Sequence, residues 1–186
     1  MMRQDDTEII ACILDGNVRL YSVLVDRHRD LAFTIAYRLL GNRMDAEEVV
    51  QDAFVKAYRG LKGFRHDARF STWLFRIVYN TAVSKRRLKR HNFQSIDELS
   101  PLPDVLAKTS IDDDHDEERE IMLEKALVRL TEDERALVTM FYLHEASVDE
   151  IHFITGLTRS NVKVKLFRAR KKLQEFVGIM AERIYI

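Results

Sequence analysis

The sequence predicts an all-α protein of two small helical domains joined by a flexible linker. Turn formers are scarce, with 6 Gly and 2 Pro among 186 residues, while 32% of the residues are charged and 46% are hydrophobic. Apolar residues recur at helical spacing up to residue 90 and again after residue 121, and no strand pattern is present. Both prolines and an acidic run fall between these segments. We therefore predict domains at residues 1–90 and 118–180 and a linker at residues 91–117.

The first predicted domain holds four helices. Residues 7–40 show helical periodicity interrupted at residues 15–17, which predicts two helices separated by a turn. Asp45 is predicted to cap the third helix, with Glu48 three residues later completing a capping box. A loop precedes the fourth helix, which is predicted to run from residue 71 or 72 to about residue 90.

The second predicted domain also reads as helical throughout. A helix that begins near residue 121 ends at Thr131, which is itself a predicted N-cap with Glu134 at capping-box spacing. A short helix is predicted over residues 147–155. Gly156 then forms a turn, and Thr158 caps the final helix.

The formal net charge is +0, but the charges are segregated along the chain. Residues 68–96 contain basic residues and no acids, residues 97–120 are rich in acids, and the charges of residues 159–172 are all basic. Such segregation of charge indicates which kinds of partner the protein binds. Two basic blocks separated by an acidic one predict that the protein binds nucleic acid.

Composition also bears on the compartment and on cofactors. Cys12 is the single cysteine, so an internal disulfide is excluded, which fits a reducing compartment. No apolar run reaches the roughly 18 residues of a membrane helix, and the first residues are polar and acidic. We therefore expect a soluble cytoplasmic protein without a signal peptide. The six histidines lack metal-ligand spacing and no nucleotide-hydrolysis motif is present, so no metal or cofactor is expected.

Residues 147–172 predict a helix-turn-helix, a geometry that sets the second helix into a major groove. A helical wheel places Val162, Leu166, Ala169 and Leu173 on the buried stripe. The opposite face combines apolar and basic side chains, which suits base edges, thymine methyls and phosphates. It consists of Ser160, Lys163, Val164, Phe167, Arg168 and Lys171. The alternative is a charged amphipathic helix that binds no ligand.

In the first predicted domain, aromatic residues precede a basic stretch. This combination is typical of sites for single-stranded nucleic acid, where rings stack on bases and cations hold the backbone. Phe64, Ile77 and Asn80 are candidates for a pocket that accepts a base extracted from the duplex. In the alternative, Trp73 and Phe75 belong to the core, and the basic stretch is a solvated helix end supported by the helix dipole.

Two stretches resemble a known family. Residues 45–87 read DAEEVVQDAFVKAYRGLKGFRHDARFSTWLFRIVYNTAVSKRR and are similar to region 2 of the extracytoplasmic-function group of sigma-70-like factors. Residues 127–173 read LVRLTEDERALVTMFYLHEASVDEIHFITGLTRSNVKVKLFRARKKL and resemble region 4 of that group. The two stand in the family's order. The resemblance implies a non-enzymatic subunit that directs core RNA polymerase to promoters.

The resemblance also implies three binding surfaces and a regulator. Binding to the clamp coiled coil of the largest polymerase subunit is assigned to Glu48, Gln51, Asp52, Val55 and Arg59. Recognition and melting of the −10 element is assigned to Phe64, Arg76, Ile77, Asn80, Lys85 and Arg86. The outward face of the last helix reads the −35 element, and the second domain also contacts the flap of the second-largest subunit. An anti-sigma protein is implied as the regulator.

Two positions depart from the family pattern. Ser84 stands where the family often has an acid, which alters local pairing in the basic helix. Val164 stands where the recognition face usually has a small polar residue. A valine favours a methyl contact, so we expect a changed −35 preference.

Two other functions remain open at this point. An ordinary helix-turn-helix repressor or activator would bind duplex DNA without polymerase. A nuclease would use the acids of residues 112–118 to hold a metal. The nuclease is disfavoured, because those acids fall within a predicted flexible linker rather than a preorganised site.

Overall fold

The computed structural model describes residues 5–93 and 123–184, with side chains placed for residues 5–90 and 123–176, and every regular element in these ranges is helical. The predicted all-α class is confirmed. The helices are α1 (Asp6–Leu14), α2 (Tyr21–Leu40), α3 (Arg43–Gly60), α4 (Phe70–Phe93), α5 (residues 123–127), α6 (Glu132–Tyr142), α7 (Val148–Thr155) and α8 (Arg159–Ile184), with short 3-10 turns at Val18–Leu20 and Leu61–Gly63. Most of the predicted linker lies outside the described residues; α4 extends into its first three positions.

One predicted cap is wrong. Asn42, not Asp45, caps α3, and its side-chain oxygen accepts a hydrogen bond from the Asp45 backbone N–H at 3.0 Å. The helix therefore starts at Arg43, and Asp45 is its third residue. There the Asp45 carboxylate strengthens the helix N-terminus and pairs with Lys85 and Lys89 of α4.

The predicted caps of the C-terminal part are confirmed. Thr131 and Glu134 form a capping box at the start of α6. Gly156 ends α7 with φ +73°, a left-handed conformation that glycine adopts without steric cost. Thr158 then caps α8, accepting a bond from the Asn161 N–H at 3.2 Å. These local signals fix the turn between α7 and α8.

Apolar side chains form one core that runs through both parts of the chain. In the N-terminal bundle, α1–α4, α2 packs against α3 and α4. In the C-terminal unit, α5–α8, α6 and α7 pack against α8. The two parts also meet directly, with α2 against α6 and α4 against α7. Fully buried side chains on both sides include Leu24, Ile35, Leu74, Phe75, Leu137, Met140, Ile151 and Ile154.

Within the described ranges, no helix has both the length and the apolar character that crossing a membrane would require.

Candidate nucleic-acid interface

Helix α8 presents the predicted recognition face to solvent. Val162, Leu166 and Ala169 are buried at 0%, 7% and 0% exposure, and Leu173 is half-buried against the core, so the predicted inward stripe is confirmed for three residues and in part for the fourth. The six residues of the outward face are all exposed. Among them, Val164 is 45% exposed and Phe167 is 66% exposed. A solvated phenylalanine beside cations costs hydration free energy, because much of its apolar ring stays in contact with water.

The start of α8 is held by polar contacts from α7. Asp149 pairs with Arg159, and hydrogen bonding to that guanidinium lowers the pKa of the Asp149 carboxyl. His152 Nδ1 donates to the carbonyl oxygen of Leu157 at 2.5 Å, within the turn. Sequence reasoning missed Arg159 as a member of this surface. Its position in the first turn of the second helix could have identified Arg159 from the sequence.

Phe64 lies in an aromatic cluster beside a cavity. Its ring centroid is 4.5 Å from that of His66, 5.1 Å from that of Trp73 and 5.9 Å from that of Phe70. Phe64 is half-buried, so part of its ring remains accessible. The cavity has a volume of about 320 Å³. It is lined by Asp5, Asp6, Thr7, Phe64, His66, Ala68, Arg69, Phe70 and Ser71.

The N-terminal wall of this cavity was absent from the sequence prediction. Asp6, at the start of α1, bonds His28 Nε2 at 2.8 Å and pairs with Arg27. Burial opposes the charged form of Asp6, but the bonds from His28 and Arg27 outweigh it and lower its pKa. A charged carboxylate thus closes one side of an aromatic cavity. The contact between Asp6 and His28 joins residues that are far apart in sequence, so no local sequence pattern predicts it.

The other predicted −10 residues have different surroundings. Asn80 is exposed on α4 and Ile77 is half-buried. The Arg76 guanidinium lies over the Phe153 ring of α7, 4.6 Å from its centroid. Arg86 donates to Asp133 Oδ1 at 2.9 Å. Thus Arg76 and Arg86, although on the predicted face, are engaged by the C-terminal unit.

Trp73 and Phe75 differ in burial. Phe75 is fully buried, so the core alternative is correct for this residue. Trp73 is half-buried between Phe64 and Gly60, and its ring carbon lies 3.4 Å from where a Cβ on Gly60 would stand. A Cβ at Gly60 would therefore stand in ordinary van der Waals contact with the indole.

Helix α3 exposes the predicted polymerase-binding residues on one side. Its buried side carries Ala46, Val49, Ala53, Phe54 and Ala57. The exposed side carries Glu48, Gln51, Asp52, Val55 and Arg59. Val55 is 48% exposed, an apolar contact point within a polar face.

Lys85 is tied to this α3 surface. Its Nζ lies 2.6 Å from Glu48 Oε2 and 3.4 Å from Asp45 Oδ1. Burial disfavours the charged ammonium, but the hydrogen bonds to Glu48 and Asp45 outweigh it and raise the pKa of Lys85. The structure thus places Lys85, predicted to bind DNA, beside Glu48, predicted to bind polymerase.

Comparison with known proteins gives consistent matches over both parts of the chain. Residues 24–92 match the family described as Sigma-70 region 2, and residues 120–173 match Sigma-70, region 4. The ECF RNA polymerase sigma-E factor of Escherichia coli K12 is 30% identical over 96% of this chain and 97% of its own length. The ECF RNA polymerase sigma factor SigM of Mycobacterium tuberculosis is 29% identical over 95% of this chain and 87% of its own.

Two solved structures share the fold. One is the sigma factor RpoE in complex with the anti-sigma factor NepR from Bartonella quintana, with a TM-score of 0.69 and 24% identity, covering 86% of this chain and 97% of that one. The other is CnrH in complex with the cytosolic domain of CnrY, with a TM-score of 0.63 and 24% identity, covering 94% and 97%.

Proposed function

Given that the chain belongs to the extracytoplasmic-function group of the sigma-70 family, whose members are non-enzymatic transcription initiation factors, we propose that it reads the −35 element as duplex DNA and captures unpaired bases of the −10 element. One observation carries the −35 part. Phe167 projects into solvent from the second helix of a helix-turn-helix, next to Arg168. An exposed ring between cations is explained by contact with base edges and thymine methyls.

The cavity beside Phe64 supports capture of a −10 base. An extracted base needs an aromatic wall to stack on and polar groups for its edge. Phe64 and His66 supply rings, while Arg69 and Asp6 supply opposite charges in the lining of the same cavity. The cavity volume of about 320 Å³ suits a small planar ligand. Because the chain needs no nucleotide hydrolysis in this scheme, binding of exposed bases supplies the free energy of melting.

The exposed side of α3 is the proposed polymerase contact. Glu48 and Asp52 lie one helical turn apart and both face solvent, with Val55 adding an apolar contact. This mixture fits a protein partner better than DNA, whose phosphates would be repelled by the carboxylates. The clamp coiled coil of the largest polymerase subunit is the proposed partner for α3, and the flap of the second-largest subunit for the C-terminal unit.

We also propose regulation by an anti-sigma protein. One protein that shares this fold was solved in complex with the anti-sigma factor NepR, and another was solved in complex with the cytosolic domain of CnrY. Here, an anti-sigma protein would compete with polymerase for the exposed side of α3. Its addition should therefore abolish the chain's binding to core polymerase.

Run-off transcription with core polymerase over a randomised promoter library tests the function. We expect selected promoters to share a −35 and a −10 element. Phe167→Ala should weaken −35 selection, whereas Gln174→Ala, an exposed change on the same helix, should not. If the chain bound duplex DNA tightly alone and left core polymerase unaffected, an ordinary repressor or activator would explain it better.

A further inference from the structure

A tyrosine and an arginine from two helices of the C-terminal unit meet beside the predicted recognition face. Arg170 of α8 donates through its Nε to the hydroxyl of Tyr142, the last residue of α6, at 3.2 Å. Both side chains lie at the surface, and Tyr142 is 53% exposed. The two residues are 28 positions apart, so the packing of α6 on α8 brings them together.

Arg170 stands at the edge of the outward face of α8. It follows Phe167 by three residues and Lys163 by seven, so the three side chains share one edge of the helix. When a recognition helix lies in a major groove, the residues at its edges come close to the phosphates that border the groove. Arg170 is therefore placed for the DNA backbone rather than for base edges.

The pair keeps donors that nothing in the described fold uses. One of the five N–H groups of the guanidinium goes to Tyr142, and the Tyr142 hydroxyl retains its own hydrogen to donate. Other cations of α8 have acidic partners, such as Lys172, which pairs with Glu134. Among residues 5–90 and 123–176, no carboxylate pairs with Arg170. The guanidinium and the hydroxyl thus form two adjacent donors with a net positive charge.

The Tyr142 hydroxyl is held in position before any ligand binds. The Tyr142 ring meets the Phe141 ring edge-on, with centroids 5.1 Å apart, and Phe141 packs against the core. A donor that is already placed loses little conformational entropy on binding. The hydrogen bond between Tyr142 and Arg170 adds little to folding, because water competes for both exposed groups. The arrangement therefore suits binding of an anion better than stabilisation of the fold.

We propose that Tyr142 and Arg170 form a phosphate clamp, which binds one backbone phosphate beside the −35 element. The proposal rests on the proposed function, because it requires α8 to lie in the major groove. A phosphodiester is an anion with two free oxygens, which matches the terminal N–H groups of Arg170 and the Tyr142 hydroxyl. Such a contact reads no base. It fixes the register of α8 on the duplex and adds salt-dependent affinity.

The test uses holoenzyme assembled from core polymerase and the full chain, with a fluorescein-labelled promoter duplex selected from the library. Tyr142→Phe removes only the hydroxyl and should weaken binding, measured by anisotropy, about three- to tenfold. Arg170→Ala should weaken it about tenfold and reduce the slope of log affinity against log salt by about one. Gln174→Ala, an exposed change one turn further along α8, should alter neither quantity.

Two controls separate the clamp from a structural role and from base reading. Because both side chains are exposed, urea unfolding of the Tyr142→Phe and Arg170→Ala chains should match that of wild type. The losses in affinity should also be alike on every −35 sequence. Losses confined to particular −35 sequences would assign Arg170 to a base and overturn the clamp.

Methylphosphonates placed one at a time around the −35 element identify the phosphate, since each removes one backbone charge. We expect one or two adjacent positions where wild type loses affinity and Arg170→Ala loses no more. If every position weakened both proteins equally, the pair would contact the polymerase instead, and the clamp would be wrong. If wild-type holoenzyme showed no dependence on a −35 element at all, the proposed function would fail with it.

Discussion

Lys85 Nζ lies 2.6 Å from Glu48 Oε2 and joins the basic end of α4 to the exposed side of α3. The pair connects the proposed DNA-binding surface to the proposed polymerase-binding surface. Lys85 is 19% exposed and Glu48 is 68% exposed. Polymerase that binds Glu48 would therefore compete with Lys85 for this carboxylate. Lys85 would then be free to pair with Asp45 alone or with a DNA phosphate.

The Lys85–Glu48 pair should contribute little to folding. Because one partner faces water, we expect a coupling free energy of about 0.2–1 kcal/mol. A double-mutant cycle with Lys85→Met and Glu48→Gln, measured by urea unfolding, checks this value. A coupling well above that range would show that the pair is mainly structural.

Asp52→Ala should lower affinity for core polymerase without destabilising the chain, since the side chain is exposed on α3. A pull-down with core enzyme measures the loss. Glu47→Ala is the matched control, because Glu47 is an exposed acid of the same helix, paired with Arg43 outside the proposed contact face. Equal losses in both variants would point to general charge rather than to a defined surface.

Arg168→Ala should weaken −35-dependent transcription by about 1–3 kcal/mol if the guanidinium bonds a base in bidentate fashion. The loss should be greatest on the selected −35 sequence and smaller on variants of it. Run-off transcription on a series of −35 mutants measures this pattern. A uniform loss on every sequence would assign Arg168 to a phosphate instead.

Phe64→Ala should impair promoter opening while leaving polymerase binding intact, because it removes one wall of the cavity. Permanganate reactivity of unpaired thymines measures opening. Phe70→Ala is a contrasting variant: Phe70 is 3% exposed, so its loss should cost about 3–5 kcal/mol of unfolding free energy. Normal opening by a folded Phe64→Ala chain would remove Phe64 from the site.

The ionisation of Glu134 should make the free energy of unfolding depend on pH. Burial disfavours its charge, but bonds from Lys172 and the Thr131 backbone outweigh this and lower its pKa from the ordinary 4.5. Because the pKa of Glu134 is lower in the folded chain than in the unfolded chain, its charge stabilises the fold at pH values above the unfolded-state pKa. This stabilisation is lost as the pH falls through the folded-state pKa. Glu134→Gln should therefore be less stable than wild type at pH 7, by about 1 kcal/mol.

The same pair of proteins gives the pH test. The difference in urea unfolding free energy between wild type and Glu134→Gln should shrink as pH falls below 4.5. A difference that stayed constant down to acid pH would mean that the charge of Glu134 is not what stabilises the α6 cap.

Much of the fold could be predicted because its signals are local. The caps at Thr131 and Thr158, the turn at Gly156 and the buried stripe through Val162 depend on residues within one or two helical turns. The cap at Asp45 was wrong because Asn42, an equally good capping residue, stands just upstream. Two candidate capping residues that stand only three positions apart cannot be ranked by spacing alone.

The sequence by itself determined the helices, the caps of α6 and α8 and the outward face that carries Val164 and Phe167, since each follows from contacts between near neighbours. Only the tertiary structure decided what meets Arg38, Arg76 and Arg86. Their partners lie in the C-terminal unit, 86 residues away for Arg38 and 47 for Arg86. Pairing over such separations depends on how the helices pack in space, and the periodicity of the sequence does not predict these pairs.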